Sequence, residues 1–267
     1  MAELLDLDAE VLHSYLSEVT AWVRELAAEL PRRRILDLGS GTGTGALALV
    51  QRFEGADVIA LDRSAQLLAR CQAKARDLGV ADRVRTVQAD LDAEWPATGP
   101  VDLVWASNSL HHMADPEHVL TEVFATIHPG GLLVVAEMDS FPRFLPDDVG
   151  LGRPGLEARC HATVAEGLAG ELPHLGSDWG SRLSQAGFVI EAKRSFAIDL
   201  TRPLPASAGR YAQASLRRIR SGLDGQLSAD DLATLDTLID SDGPDGVLQR
   251  DDLTVRAART VWVARRP

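Results

Sequence analysis

Short apolar runs alternate along most of this chain with segments in which apolar residues recur every three or four positions. An apolar run bounded by turn residues predicts a buried strand, and the spacing of three and four predicts a helix with one buried face. The runs predict strands at 35–38, 57–62, 83–91, 101–106, 132–137, 188–192 and 256–265. The spacing predicts helices at 8–30, 46–50, 64–79, 116–127, 156–168, 179–186, 206–222 and 228–240.

This alternation predicts right-handed βαβ units and a parallel sheet with helices on both faces. The fold class is therefore α/β, Rossmann-like and doubly wound. We predict a single domain over 1–267 with an N-terminal helical flap at 1–31, which ends at Pro31 and the arginines that follow it. The first helix either packs on the domain edge or overhangs the ligand mouth with Tyr15 or His13.

Beyond residue 139 the regular alternation stops. Residues 140–154 are rich in proline and glycine, and irregular segments follow the predicted fifth and sixth strands. Loops on the ligand side of a rigid sheet commonly carry specificity. We predict two cap insertions, at about 140–180 and 200–245, that select the substrate.

A glycine-rich turn follows the first predicted strand. The strand ends Leu36-Asp37-Leu38, and glycines occupy positions 39, 41, 43 and 45 before the next helix begins. Glycine allows backbone conformations that other residues resist, and a helix N-terminus presents free N–H groups. The turn is therefore predicted to let a cofactor touch bare backbone.

Polar residues stand at the carboxyl ends of the predicted strands. In an open α/β sheet, ligands bind outside these ends, and the ends of neighbouring parallel strands meet at one edge. The polar positions are Asp37, Asp62, Asp90, Ser107 to His112, Glu137 and Asp139. Their coincidence at one edge predicts a single ligand site there.

The glycine turn is compatible with a dinucleotide. The run from Gly41 to Ala46 satisfies the pattern G-x-G-x-x-G/A, and Asp62 follows 62 − 41 = 21 residues later, a suitable distance for a ribose-binding acid. Two features oppose this interpretation. Asp37 interrupts a strand that normally ends apolar in dinucleotide sites, and no second domain is available for a hydride acceptor.

Five motifs together resemble the class I S-adenosylmethionine-dependent methyltransferases. The segment from Leu36 to Gly43 resembles their first motif, and Asp62 stands at the end of the second strand as in the family. The later motifs are similar to Ala89-Asp90-Leu91, Ser107-Asn108 and Ile127-His128-Pro129-Gly130-Gly131-Leu132. The resemblance covers about residues 30 to 140. It implies a seven-stranded, mostly parallel sheet whose last strand is antiparallel.

The resemblance also implies S-adenosylmethionine as the cofactor and S-adenosylhomocysteine as its product. Asp37 would hold the cofactor's ammonium directly or through water, Asp62 its ribose hydroxyls, and Asp90 the adenine amino group. For Asp62 the alternative is a carboxylate at the N-terminus of the following helix, and for Asp90 a solvated turn. The implied cofactor-binding residues are Asp37, Gly39, Ser40, Gly41, Gly43, Asp62, Arg63, Leu67, Ala89, Asp90, Leu91, Ser107 and Asn108.

Two histidines follow the fourth strand, where a general base would lie. Imidazole suits proton removal near neutral pH, so His111 and His112 are the candidate catalytic residues, with Glu137 or Asp139 able to orient them. Alternatively the pair shapes the cofactor pocket or packs on the next helix. His161 and His174, in the inserted segment, either line the acceptor pocket or lie solvated at the surface, with the surface favoured.

Composition limits the partners. The 267 residues are 45% apolar and carry a net charge of −12. The negative charge opposes bulk electrostatic binding to nucleic acid or anionic membrane. Two distant cysteines predict neither a disulfide framework nor a zinc site, and one acid pair is poor evidence for any metal. The acidic N-terminus lacks the basic region of a signal peptide. These features predict a cytoplasmic protein with no metal, and they leave the oligomeric state open.

The predicted function is transfer of a methyl group from S-adenosylmethionine to a small-molecule acceptor, with O-methylation favoured over N-methylation. The phrase Leu110-His111-His112-Met113 resembles that of small-molecule and natural-product methyltransferases. Two alternatives remain. One is an oxidoreductase that uses a nicotinamide cofactor, and the other is a non-catalytic cofactor-binding or regulatory protein of the same fold.

Overall fold

The computed structural model describes residues 1–30, 34–223, 225–240 and 243–267. The strands are β1 (Arg34–Leu38), β2 (Asp57–Asp62), β3 (Val84–Gln88), β4 (Val101–Ser107), β5 (Ile127–Arg143), β6 (Val189–Leu200) and β7 (Val255–Arg265). The helices are α1 (Ala2–Val11), α2 (His13–Leu26), α3 (Thr44–Arg52), α4 (Ala65–Asp77), α5 (Pro116–Thr126), α6 (Leu156–Glu171), α7 (Trp179–Gln185), α8 (Ala208–Ser221) and α9 (Ala229–Ile239). The predicted end of the first helix, at Pro31 to Arg33, lies outside the described residues.

Within the described residues, seven strands form one sheet in the order β3-β2-β1-β4-β5-β7-β6. Strands β1 to β5 pair in parallel, and β7 runs antiparallel to both β5 and β6. The central strands are buried almost continuously because helices cover both faces. The predicted fold class, including the antiparallel last strand, is confirmed.

Helices pack on the sheet in two layers, and a third apolar cluster forms the cap. Helices α2, α3 and α4 share one cluster with one face of the sheet, while α5 and α7 share another with the opposite face. The third cluster joins α1, α6, α8 and α9 around Leu7, Leu156, Leu216 and Leu235. The N-terminal helix thus packs with the cap helices.

The single helix predicted over 8–30 is wrong, because the chain forms two helices that separate at Leu12. Leu12 is buried in the cap cluster with α1, whereas Val19 and Val23 of α2 belong to the cluster on the sheet. One straight helix could not bury both apolar faces. The strand predicted at 132–137 is also longer than expected, since β5 runs from Ile127 to Arg143.

A carboxylate with two arginine partners joins α6 to α9 in the cap. Asp231 accepts hydrogen bonds from Arg159 at 2.7 Å and from Arg153 at 2.7 Å, and its side chain is 3% exposed. Hydrogen bonding from Arg159, ahead of that from Arg153, lowers the pKa of Asp231 to about 2. The charge is therefore paired throughout the neutral range.

We predict that Asp231→Ala lowers the free energy of unfolding by about 2 kcal/mol or more, because it leaves two arginines without their carboxylate. Urea unfolding at pH 7 measures the change. Asp236→Ala is the matched control, since Asp236 pairs with Arg220 on the exposed face of the same helix at 2.7 Å. An exposed pair of that kind contributes about 0–1 kcal/mol. Equal losses in the two variants would contradict a special role for Asp231.

Candidate active site

The turn between β1 and α3 is packed closely against its neighbours at its glycine positions. Gly39, Gly41 and Gly43 adopt φ of +66°, +54° and +87°. A Cβ at Gly39 would lie 2.6 Å from that of Ser109, and a Cβ at Gly43 would collide with the Cys71 sulfur. The turn therefore lies directly on the loop after β4 and on helix α4.

Asp62, at the end of β2, holds this turn through its carboxylate. Its Oδ2 accepts the N–H of Gly41 at 2.9 Å, and its Oδ1 accepts the N–H of Ser64 at 2.8 Å. The second bond is the helix N-terminal contact considered from the sequence. Each carboxylate oxygen can accept more than one hydrogen bond, so Asp62 keeps lone pairs for ribose hydroxyls. The ribose contact itself remains a prediction.

Asp37 lies behind the turn and is 2% exposed. The N–H of Ala46 donates to its carboxyl group, while its Oδ2 has no hydrogen-bond partner among the described residues. Burial, aided by the charge of Asp62 and opposed by that N–H, raises the pKa of Asp37 to about 7. Asp37 thus supports the start of α3, and its contact with a cofactor's ammonium remains a prediction.

The residues predicted to surround the adenine lie at the ends of β2 and β3. The N–H of Ala89 donates to the carbonyl of Asp62 at 3.2 Å, so these two strand ends are adjacent. Leu91 is 5% exposed, whereas Asp90 is exposed and accepts the N–H of Asp92 at 3.2 Å. Leu67 is half-buried and Arg63 is exposed.

Ser107 and Asn108 end β4 beside the glycine turn. Asn108 has a φ of +49°, unusual for a residue other than glycine, and its N–H donates to the carbonyl of Ala136 at 2.8 Å. In the described part of the chain, its Oδ1 and the hydroxyls of Ser40 and Ser109 are buried without partners. A buried polar atom left unpaired costs about 1–3 kcal/mol. Several at one edge of a sheet are typical of a binding site.

The structure brings His111 and Glu137 together as a buried pair. Nδ1 of His111 lies 2.5 Å from Oε2 of Glu137, and each residue is 3% exposed. A carboxylate on Nδ1 favours the tautomer that keeps Nε2 free of its proton, which is the form of a general base. Asp139 instead accepts the Thr260 hydroxyl at 2.9 Å.

His112 is less suited than His111 to act as the base. Its ring lies 4.2 Å from that of His111, centroid to centroid. Desolvation of the ring, followed by the effects of His111, Arg218 and Arg63, lowers the pKa of His112 to about 4. A base with so low a pKa gains little from accepting a proton at pH 7.

The two histidines of the inserted segment have different surroundings. His161 is 8% exposed, so the favoured expectation of a solvated surface residue is wrong for it. Burial, with a smaller effect of Arg143, lowers its pKa to about 4. His174 is half-buried beside Arg182, which lies 3.1 Å from its Nδ1.

The sequence analysis missed the contact of α1 with the glycine turn. Leu5 lies 3.2 Å from the position that a Gly41 Cβ would take. Asp6 pairs with Lys74 and with Arg70 at 2.6 Å, and Lys74 also donates to Thr42 in the turn at 3.1 Å. The apolar spacing from residue 4 onward could have revealed the helix, but no local pattern identifies these distant partners.

The described residues contain neither a membrane-spanning helix nor a cluster of metal-binding side chains. None of the helices is both long and apolar enough to cross a membrane. No group of three or more histidine, cysteine, aspartate or glutamate residues in the same part of the chain is arranged to hold a metal ion.

Comparison with known proteins identifies the segment that carries the site. Residues 35–131 match the family model described as a methyltransferase domain. This segment is therefore similar to a methyltransferase domain. It contains the glycine turn, Asp62, Asp90 and Asn108, so the predicted family resemblance is confirmed on the residues that suggested it.

Two curated relatives align with the methyltransferase domain and its surroundings. Demethylmenaquinone methyltransferase of Thermus thermophilus is 38% identical over 119 residues, which are 45% of this chain and 53% of the relative. Trans-aconitate 2-methyltransferase of Azoarcus sp. is 32% identical over 124 residues, 45% of this chain and 46% of the relative. The chain thus spans about half the length of the curated relatives it matches.

A solved structure covers most of the fold. A protein of Bacillus halodurans C-125 that carries a methyltransferase assignment has a TM-score of 0.57 and 18% identity. The match covers 93% of this chain and 98% of that protein. It supports the fold of the methyltransferase domain together with the cap.

We predict that Gly43→Ala destabilises the protein by about 2–4 kcal/mol. The new methyl group adds a collision with Cys71 to the strain of a positive φ, which alone costs about 1–2 kcal/mol. Gly79→Ala is the control, because Gly79 has a φ of +68° but no neighbouring atom within 4 Å of the added Cβ. Chemical denaturation compares the variants. Equal destabilisation would contradict close packing of the turn on α4.

Proposed function

We propose that the protein transfers a methyl group from S-adenosylmethionine to an oxygen atom of a small-molecule acceptor. The observation that carries this proposal is the buried His111–Glu137 pair, in which His111 follows the carboxyl end of β4 and Glu137 lies within β5, next to the glycine turn of a segment that matches a methyltransferase domain. The curated relatives support a small-molecule acceptor, because their names give demethylmenaquinone and trans-aconitate.

The residues at this edge of the sheet fit the cofactor. The bare backbone of Gly39 and Gly41 allows close approach of its amino-acid part, and Asn108 offers an unpaired Oδ1. Asp62 retains lone pairs for ribose hydroxyls, and such charge-assisted hydrogen bonds are the stronger kind. Ala89, Asp90, Leu91 and Leu67 surround the place for the adenine.

When bound, the cofactor supplies an already activated methyl group. The protein's main tasks are then to hold the acceptor in line and to exclude water. A hydroxyl acceptor must also lose its proton as the new O–C bond forms. We infer that Nε2 of His111 takes this proton, while Glu137 stabilises the resulting imidazolium through Nδ1 and keeps the ring oriented.

We assign acceptor selection to the two cap segments, at about 140–180 and 200–245, within a single domain. Helices α6, α8 and α9 come from these segments and share one apolar cluster with α1. The resemblance of the phrase around His111 to natural-product enzymes supports a role in natural-product metabolism, and the composition favours a cytoplasmic location.

Calorimetry with S-adenosylhomocysteine and with NAD tests the cofactor. We expect binding of the thioether and none of NAD; the reverse would support the oxidoreductase alternative. Turnover of labelled S-adenosylmethionine with a panel of phenols, sugars, organic acids and amines tests the reaction. Cofactor binding without transfer to any member would favour the non-catalytic alternative.

We predict that Asp62→Ala raises the dissociation constant of S-adenosylhomocysteine at least about tenfold. It removes the proposed ribose contacts, and hydrogen bonds to a charged group are worth about 1.5–3 kcal/mol. It also removes the acceptor of the Gly41 N–H. Calorimetry measures the change, with Asp77→Ala, an exposed acid at the end of α4, as the control. An unchanged constant for Asp62→Ala would refute the ribose role.

We predict that His111→Ala and Glu137→Gln lower kcat by about 10²–10⁴-fold, the usual contribution of general acid–base catalysis. Their S-adenosylhomocysteine affinity should stay within about twofold, because neither residue is assigned to the cofactor. Steady-state kinetics with the best acceptor of the panel measures kcat. His118→Ala, on the exposed face of α5, serves as the control. Normal turnover in His111→Ala would reduce His111 to a packing residue.

A further inference from the structure

Helix α1 lies against the glycine turn of the proposed cofactor site. Its Leu5 is 3.2 Å from the position that a Cβ at Gly41 would take. Leu5 and Gly41 are both half-buried, so solvent still reaches the place where they meet. The backbone at Gly41 is one of the positions assigned to the amino-acid part of the cofactor. Helix α1 therefore borders the route by which that part of the cofactor reaches the turn.

Charged side chains join α1 to α4 and to the glycine turn. The Asp6 carboxylate of α1 accepts a hydrogen bond from Lys74 and pairs with Arg70 at 2.6 Å, and both cations belong to α4. The Lys74 ammonium also donates to the Thr42 hydroxyl at 3.1 Å. One cation thus bridges α1 and the turn. We call Asp6, Lys74 and Arg70 the latch.

The latch is charged but remains in contact with solvent. Burial acts to raise the pKa of Asp6, but hydrogen bonds from Lys74 and Thr42, with the charges of Lys74 and Arg70, outweigh it and lower that pKa. The carboxylate is therefore ionised at neutral pH. The side chains of Asp6, Lys74 and Arg70 are 21%, 31% and 49% exposed. Ion pairs with this much solvent contact contribute little stability and weaken as salt increases.

The opposite side of α1 is attached to the cap more firmly. Leu7 is buried in the cap cluster. Asp8 accepts hydrogen bonds from Tyr211 at 2.6 Å and from Arg259 at 2.8 Å, and Arg259 is 5% exposed. Residues two positions apart on a helix point in nearly opposite directions, so Asp8 faces away from Asp6. The latch is thus the weaker of the two attachments of α1.

We propose that α1 is a gate over the cofactor site, and that the latch opens each time S-adenosylmethionine enters or S-adenosylhomocysteine leaves. A group that holds a gate shut without touching the ligand slows entry and release by the same factor, so it leaves the binding equilibrium unchanged. Asp6 therefore sets the rate of cofactor exchange and not the affinity. The gate depends on the proposed function, which makes S-adenosylmethionine the cofactor.

Exchange of labelled S-adenosylhomocysteine, measured by rapid filtration, tests the gate. Asp6→Asn should speed both association and release about three- to tenfold, the factor expected for partly exposed ion pairs, with Kd within about twofold of wild type. Arg70→Gln weakens the latch without touching the glycine turn and should change both rates in the same direction. Glu3→Gln is the matched control, because it makes the same charge change on the same helix. The partner of Glu3, at 2.9 Å, is the exposed Arg210 of the cap, so the rates of this control should equal those of wild type.

Salt gives an independent measurement of the latch. Raising NaCl from about 0.05 M to about 0.5 M screens exposed charges, so it should speed exchange in wild type and have less effect on Asp6→Asn. Faster release with unchanged association would make Asp6 a binding contact, and wild-type rates in Asp6→Asn would mean that α1 is no barrier; either overturns the gate. Equal responses to salt in the two proteins would do the same. Failure of wild type to bind S-adenosylhomocysteine would instead refute the proposed function, and the gate with it.

Discussion

Two hydrogen bonds to the Asp62 carboxylate determine the geometry on which the site depends. They join the turn after β1, through Gly41, to the turn after β2, through Ser64. With these turns fixed, the glycine backbone faces the end of β4 and the N-terminus of α3. A side chain at Gly39 or Gly43 would separate the turn from its neighbours. The site thus exists because a carboxylate supports a turn in which every second residue is a glycine.

The site also concentrates buried polar groups that the protein leaves without partners. They include Asp37, Asn108 and Glu137, each with one such atom within the described residues. Every unpaired atom of this kind reduces stability by an amount comparable to a hydrogen bond. The buried apolar residues of β1, β4 and β5, which are covered on both faces of the sheet, offset that loss. A binding site requires this arrangement, in which a stable apolar sheet carries unpaired polar groups at one edge.

The sheet and its ligand edge follow from the sequence because their signals are local. Apolar runs predict the strands, and polar residues at the ends of the first five predict which edge binds. Contacts between distant segments leave no such signal: Asp8 and Arg259 lie 251 positions apart. The break at Leu12 was missed because both of its flanking helices share one apolar spacing, although they face different clusters. Burial of His161 was missed because a lone histidine on a helix has the same pattern whether it is covered or exposed.

The His111–Glu137 pair could be predicted from the sequence only in part. His111 follows the predicted fourth strand and Glu137 closes the predicted fifth, and the pairing of β4 with β5 brings the two positions together. The sequence therefore indicated the neighbourhood, but the single turn from Leu110 to His112 decides which histidine faces Glu137. That local geometry distinguishes a buried base from its half-solvated neighbour, and it gives the methyltransferase domain its proposed chemistry.

A crystal structure of the complex with S-adenosylhomocysteine tests the central claim most directly. The account predicts that the ribose hydroxyls lie within about 2.5–3.2 Å of the Asp62 oxygens. It also predicts that the sulfur faces His111. A ligand whose ribose lies away from Asp62, or whose sulfur points away from His111, would contradict it.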